Sequence, residues 1–118
     1  MPERALLPMP ERLSFVEAAS VPLVFLTAWS MLVRKAGVAP AQTVLVWAAS
    51  SGVGIAAVQL AKLFGCRVLA TAGGADKGAK ARALGADEVM DHYDAATPVS
   101  EGVKRLAPAG VDIAIENV

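Results

Sequence analysis

Apolar and polar positions along this chain change period several times, and each change marks an element. Residues 43–48, "TVLVWA", are continuously apolar and rich in β-branched side chains, the pattern of a strand buried on both faces. Residues 53–64 switch to helical spacing. Val53, Ala56, Ala57, Leu60, Ala61 and Phe64 share one face, and Gln59 and Lys62 point away. "RVLATA" at 67–72 predicts a second strand. Residues 76–84 predict a second helix, ended by Gly85, and "DEVMDH" at 87–92 a short third strand. Thr97 and Pro98 predict a cap and a first-turn proline for a third helix, in which Val99, Val103 and Leu106 recur at helical spacing. Pro108 and Gly110 stop it, and "VDIAIENV" at 111–118 is a fourth strand.

Upstream of this alternation the pattern differs. Residues 1–12 are proline-rich and predict an extended connector. Ser14 with Glu17 three places on is a capping-box pair. Residues 23–35 predict a helix that is apolar nearly all round and therefore buried. It ends in Arg34, Lys35 and then Gly37. Residues 39–42 form a turn. No internal repeat or low-complexity tract is present.

Strand and helix in strict alternation define a parallel sheet with helices on both faces. Right-handed crossovers and a change of direction after the third strand give the order 3-2-1-4, a Rossmann-like α/β fold. In that order ligands bind at the carboxyl end of strand 1, beside strand 4.

The first strand runs into small residues there. Ser50, Ser51, Gly52, Val53 and Gly54 stand where strand 1 turns into its helix. Backbone N–H groups at a helix start lack intrahelical partners, and the helix dipole adds positive charge. A phosphate can lie on them if no side chain intrudes. Gly52 and Gly54 are expected to give that clearance, Gly54 also letting the helix pack on the strand. Ser50 and Ser51 add hydroxyls. Against G-x-G-x-x-G, Ala49 and Ser51 replace the first two glycines and Gly54 keeps its place. The alternative is that small residues merely allow a tight turn.

Composition narrows the function. The 118 residues are 55% hydrophobic and carry 11 basic and 11 acidic side chains, a net charge of zero. No charge run suggests a nucleic-acid or acidic-membrane partner. Residues 21–33 are uncharged and apolar but shorter than the ~20 residues of a membrane span. The charges and prolines of the first residues do not fit a secretory signal. A single cysteine, Cys66, rules out an intrachain disulfide and suits a reducing, cytoplasmic setting. Cys66 and the single histidine, His92, are too few for a zinc site of cysteines and histidines.

Taken together, "LSFVEAASVPLVFLTAW", "VLVWAASSGVGIAAVQLAKLFG", "RVLATAGG", "ALGADEVMDHY" and "GVDIAIENV" resemble the cofactor-binding domain of the medium-chain dehydrogenase/reductase superfamily. The zinc-type alcohol dehydrogenase-like and quinone oxidoreductase branches are the nearest. The likeness covers the chain from Leu13. In the quinone oxidoreductase branch the glycine motif is loosened, and Ala48, Ser51 and Gly54 occupy its places.

The resemblance implies a dinucleotide cofactor. NAD-specific folds place Asp or Glu at the end of strand 2. Here that end reads Thr71-Ala72-Gly73-Gly74, and the first acid, Asp76, is expected to cap the next helix. Without that carboxylate, NADP is favoured over NAD. Lys77 then supplies a cation for the 2′-phosphate, unless it is simply a solvated helix charge. By the same resemblance His92 falls beside the adenosine end, and Thr27 matches a threonine near the nicotinamide. The plainer reading of Thr27 is a hydroxyl bonded back to Leu23. Trp29 and Trp47 are read as packing residues, and Cys66 as inert.

The family has a second, catalytic domain and normally six strands in the cofactor domain. This chain is therefore expected to be a partial cofactor domain over residues 13–118. It has no catalytic residues and no zinc ligands of its own, and is expected to be inactive alone. Its strand at 111–118 becomes an edge, which predicts self-association or a partner that brings the missing strands. Three readings follow: the cofactor-binding part of an NADP-dependent oxidoreductase, a dinucleotide-binding module without chemistry, and an enoyl reductase module of a larger synthase. A structural protein without a nucleotide remains a fourth.

Overall fold

The structure, a computed structural model, describes residues 1–116. Its sheet has four parallel strands, β1 (Thr43–Val46), β2 (Arg67–Ala72), β3 (Glu88–Asp91) and β4 (Ile113–Ile115), in the order β3-β2-β1-β4. That is the order the sequence predicts. β2 has its predicted bounds, the other three strands are shorter than predicted, and residues 117 and 118 of the fourth lie outside the described residues.

Register explains which side chains meet. Val44 stands opposite Val68 and Ile113, Val46 opposite Ala70 and Ile115, and Ala70 opposite Val89. These positions face one side of the sheet and build the main core with Ala56, Ala57, Leu60 and Ala61 of α3 (Gly52–Leu63) and Ala81 of α4 (Ala75–Ala83). Leu69 and Met90 face the other side, where α5 (Val99–Leu106) covers them with Val99, Val103 and Leu106. Helices thus lie on both faces, more densely on the first.

Two short α-helices precede the sheet, after residues 1–12, where the predicted extended connector is interrupted by one 3-10 turn at Glu3–Ala5. Ser14 caps α1 (Phe15–Ala19) through the predicted box: its hydroxyl accepts the Glu17 N–H, and Glu17 Oε2 accepts the Ser14 N–H at 2.8 Å. The Ser14 N–H, with the Ser14 hydroxyl beside it, holds the Glu17 carboxyl below its ordinary pKa. α2 (Pro22–Trp29) runs on into a wide π-helical turn, Ser30–Lys35, that ends as Val38 N–H reaches Leu32 O across Gly37 at positive φ.

The expectation that residues 23–35 are buried fails. Ala28 and Leu32 reach the core, whereas Leu23 is 78% exposed and Leu26 59%. An all-round apolar helix needs partners on every side, and α2 packs mainly on the start and end of α3. Val24 meets Gly52, and Trp29 packs on Phe64 with ring centroids 5.8 Å apart. Phe15–Lys35 as a whole is long and apolar enough to cross a membrane by length and composition, which the narrower window 21–33 concealed. It is broken between α1 and α2 and packed against the sheet domain through Ala28 and Leu32.

Candidate functional site

The chain turns sharply after β1, and the turn carries the site. Ala48 adopts a left-handed conformation with φ 53°, uncommon for a residue with a β-carbon and costing about 1–2 kcal/mol. Three hydrogen bonds hold it there. Ala48 N–H donates to Thr71 Oγ1 at 2.9 Å, Ala49 N–H to Thr71 O at 2.8 Å, and Ser51 N–H to Ala48 O at 2.9 Å. Thr71 is fully buried in β2.

Ser51 then caps α3, its Oγ accepting Gly54 N–H at 3.1 Å. The amides of Gly52 and Val53 find no acceptor among the described residues, as expected of the first helical positions. Each glycine answers a close approach within the fold. A β-carbon on Gly52 would stand 2.9 Å from Val24 Cγ1, so Gly52 lets α2 pack against the start of α3. A β-carbon on Gly54 would run into the Ala48 carbonyl and lie 2.8 Å from Ala49 Cα. Gly54 packs helix on strand, as predicted.

The cleft itself measures about 500 Å³ and lies at the carboxyl ends of β1 and β2. Ser50, Ser51, Gly73, Lys77 and His92 line it together, five of the residues the sequence singles out. Val53 and the amide of Gly52 begin the adjoining helix. Thr27 is not among them. Its Oγ1 donates to Leu23 O at 2.7 Å, and it borders a separate depression with Leu26, Ser30 and Lys35.

Three cleft residues escape the sequence reading. Trp47 stacks on His92 with centroids 5.7 Å apart and planes 14° from parallel. Tyr93 meets His92 edge-on at 4.5 Å. Lys80 lies one turn beyond Lys77 on the same helix. The spacing of the two lysines was visible in the sequence; the aromatic group was not. His92 Nδ1 sits 3.3 Å from Thr71 Oγ1. Gly73 is needed here, since a β-carbon on it would lie 2.5 Å from Tyr93 Cε2 and 3.1 Å from His92 Nε2.

Among the described residues no carboxylate lines the cleft, and two ammonium groups do. Asp76 is not the cap of α4. Gly74, at φ 92°, holds that place, and Asp76 sits in the first turn. Pro98 likewise takes the capping position of α5 in place of Thr97. Cys66 is buried, its Sγ directed at Ala39 O, and burial pushes its thiol pKa up, away from the reactive thiolate. Among the described residues no three His, Cys, Asp or Glu side chains are placed to hold a metal.

A left-handed corner, a capped helix start and a cleft at the carboxyl ends of a 3-2-1-4 parallel sheet define a dinucleotide-type α/β domain; the cleft lies on the β2 side of β1 and not, as the sequence predicts, beside β4. The family model for zinc-binding dehydrogenases matches residues 52–118. The chain belongs to that family, within the medium-chain dehydrogenase/reductase superfamily, and forms part of a cofactor-binding domain. It is 54% identical to an NAD-dependent alcohol dehydrogenase of known structure, with TM-score 0.88 over 97% of this chain and 33% of that one. It is 42% identical to the quinone oxidoreductase of Thermus thermophilus, solved also with NADPH, with TM-score 0.82 over 98% of this chain and 37% of that one. Among curated proteins it is 45% identical over 116 residues to the spectinabilin polyketide synthase system protein NorB of Streptomyces orinoci, covering 98% of this chain and 5% of NorB. The chain thus spans about a third of each solved relative and a small part of the synthase.

Proposed function

We propose that the chain binds NADP and serves as the cofactor-holding part of an oxidoreductase whose catalytic groups lie outside these 118 residues. The observation that carries this reading is the charge of the cleft. Among the described residues Lys77 and Lys80 line it and no carboxylate does, and the amides of Gly52 and Val53, which follow the cleft-lining Ser50 and Ser51, find no acceptor. A 2′-phosphate would be repelled by the acid that NAD-binding domains place after β2, and this chain has glycine there.

The donor set fits a dinucleotide phosphate. The Gly52 and Val53 amides and the Ser50 and Ser51 hydroxyls would take the pyrophosphate. Lys77, with Lys80 behind it, would take the 2′-phosphate. His92, flanked by Trp47 and Tyr93, would wall the adenosine end. Thr27 is left out, because its hydroxyl proton is committed to Leu23. When bound, the nicotinamide supplies hydride chemistry; this chain's residues hold the cofactor and keep water off one side of it.

A thermal-shift titration with NADPH, and NADH as control, tests the reading. Stabilisation by NADPH at concentrations where NADH has little effect is expected. An equal shift with both would make the domain indifferent to the 2′-phosphate. No shift with either would remove the cofactor role.

The likeness to NorB over nearly the whole chain supports a second reading, an enoyl reductase module of a larger synthase. Further synthase domains encoded beside this sequence would select it. The cleft would bind the same cofactor in both cases.

A further inference from the structure

We infer that Thr71, fully buried and unable to touch a ligand, is the positioning residue that aims the pyrophosphate donors of this cleft. The inference rests on the cofactor reading above. A single residue of β2 receives two consecutive amides of the β1–α3 turn, Ala48 through its hydroxyl at 2.9 Å and Ala49 through its carbonyl at 2.8 Å. Any residue offers the carbonyl. Only threonine or serine offers the hydroxyl in that place.

The hydroxyl bond falls on the residue that needs it most. Ala48 is left-handed, a conformation that a residue with a β-carbon leaves readily. Its own carbonyl takes the Ser51 amide, and Ser51 caps α3. Rotation at Ala48 would therefore swing Ser50, Ser51 and the free amides of Gly52 and Val53 together. Thr71 also reaches the opposite wall, with Oγ1 3.3 Å from His92 Nδ1. The hydroxyl has two lone pairs and one hydrogen, enough to accept from Ala48 and to share a hydrogen with His92, whichever of the two carries it. The His92 contact is the longer of the two, and His92 is also held by Trp47 and Tyr93, so losing the hydroxyl frees the turn, 23 residues away in sequence, and leaves the adenosine wall in place.

The test compares the full chain with Thr71→Val, which keeps the shape and removes the hydroxyl, and with Thr71→Ser, which restores it. Each is titrated with NADPH and with adenosine 2′-monophosphate, which has no pyrophosphate, well below its melting temperature. Thr71→Val is expected to bind NADPH about tenfold more weakly and adenosine 2′-monophosphate as before, with Thr71→Ser close to the wild type. A general loss of structure would weaken both ligands alike, and that result overturns the assignment. So does unchanged NADPH affinity in Thr71→Val, or a serine variant as weak as the valine one; where Thr71→Val does not fold, Thr71→Ser alone decides, and a serine variant about tenfold weaker than the wild type for NADPH overturns the assignment. Wild-type protein that binds neither ligand overturns the cofactor reading and this inference with it. Wild-type binding with an insensitive Thr71→Val overturns the role of Thr71 alone.

Discussion

The carbonyl of Ala48 fills the space that a β-carbon on Gly54 would need, so the first turn of α3 rides directly on the corner that ends β1. The obstacle is backbone, and no side-chain rotation can relieve it. Gly54→Ala is expected to destabilise the protein by about 3 kcal/mol, the upper part of the overpacking range. Urea unfolding would read this as a lower midpoint at unchanged slope.

Gly78 predicts the opposite sign. It lies inside α4, where glycine is less favourable than alanine, and a β-carbon there would meet Val89 Cγ1 at an ordinary 3.4 Å. Gly78→Ala is expected to stabilise by roughly 0.5–1 kcal/mol. A raised melting temperature with unchanged NADPH affinity would confirm that the change acts on the helix alone.

Lys77 should distinguish the two cofactors. It is exposed on α4 and lines the cleft with Lys80. Lys77→Ala is expected to weaken NADPH roughly threefold to tenfold and to leave NADH unchanged. The NADPH affinity of the wild type should fall as salt is added, and that of the variant less steeply. Equal losses for both cofactors would move the 2′-phosphate contact elsewhere.

Asp87 makes stability depend on acid. Burial alone would push its carboxyl pKa up, but the Val68 N–H at 2.7 Å and Lys62 Nζ at 3.0 Å, with the charges of Lys62 and Arg67, hold it below the ordinary value. A depressed folded pKa gives stability that is complete above the unfolded value of about 3.9 and is lost as pH falls through the folded one. Asp87→Asn should therefore melt lower than the wild type at neutral pH, and the gap should close as pH drops below about 4. A gap that stayed constant to the acid end would show that the carboxylate charge is irrelevant.

The sheet order was legible because it follows from alternation and handedness, both of which a sequence displays. The strand-to-helix break at Ser50–Gly54 was legible for the same reason, since small residues interrupt two clear periods there. What the residues at the break do was less legible. Gly52 answers to Val24, which lies on a helix far earlier in the chain, so its neighbour could not be read from local spacing. Thr71 looked like one more strand residue, because its partners Ala48 and His92 come from other elements. The exposure of Leu23 and Leu26 was misread, since an apolar helix announces a need for cover without saying whether cover is present. The left-handed turn at Ala48 carries no signal in its residue type, and glycine would have marked it.

The pairing of β1 also sets the timing of synthesis. One neighbour, β2, follows soon after it in the chain, but the bond from Thr43 N–H to Asp112 Oδ2 beside the other neighbour spans 69 residues. At about 5–20 residues per second the ribosome needs roughly 3–14 s to cover that interval. For those seconds the central strand of the nascent chain stands with one flank unpaired, a window in which a holding chaperone, or another chain's strand, competes with β4 for the same hydrogen bonds.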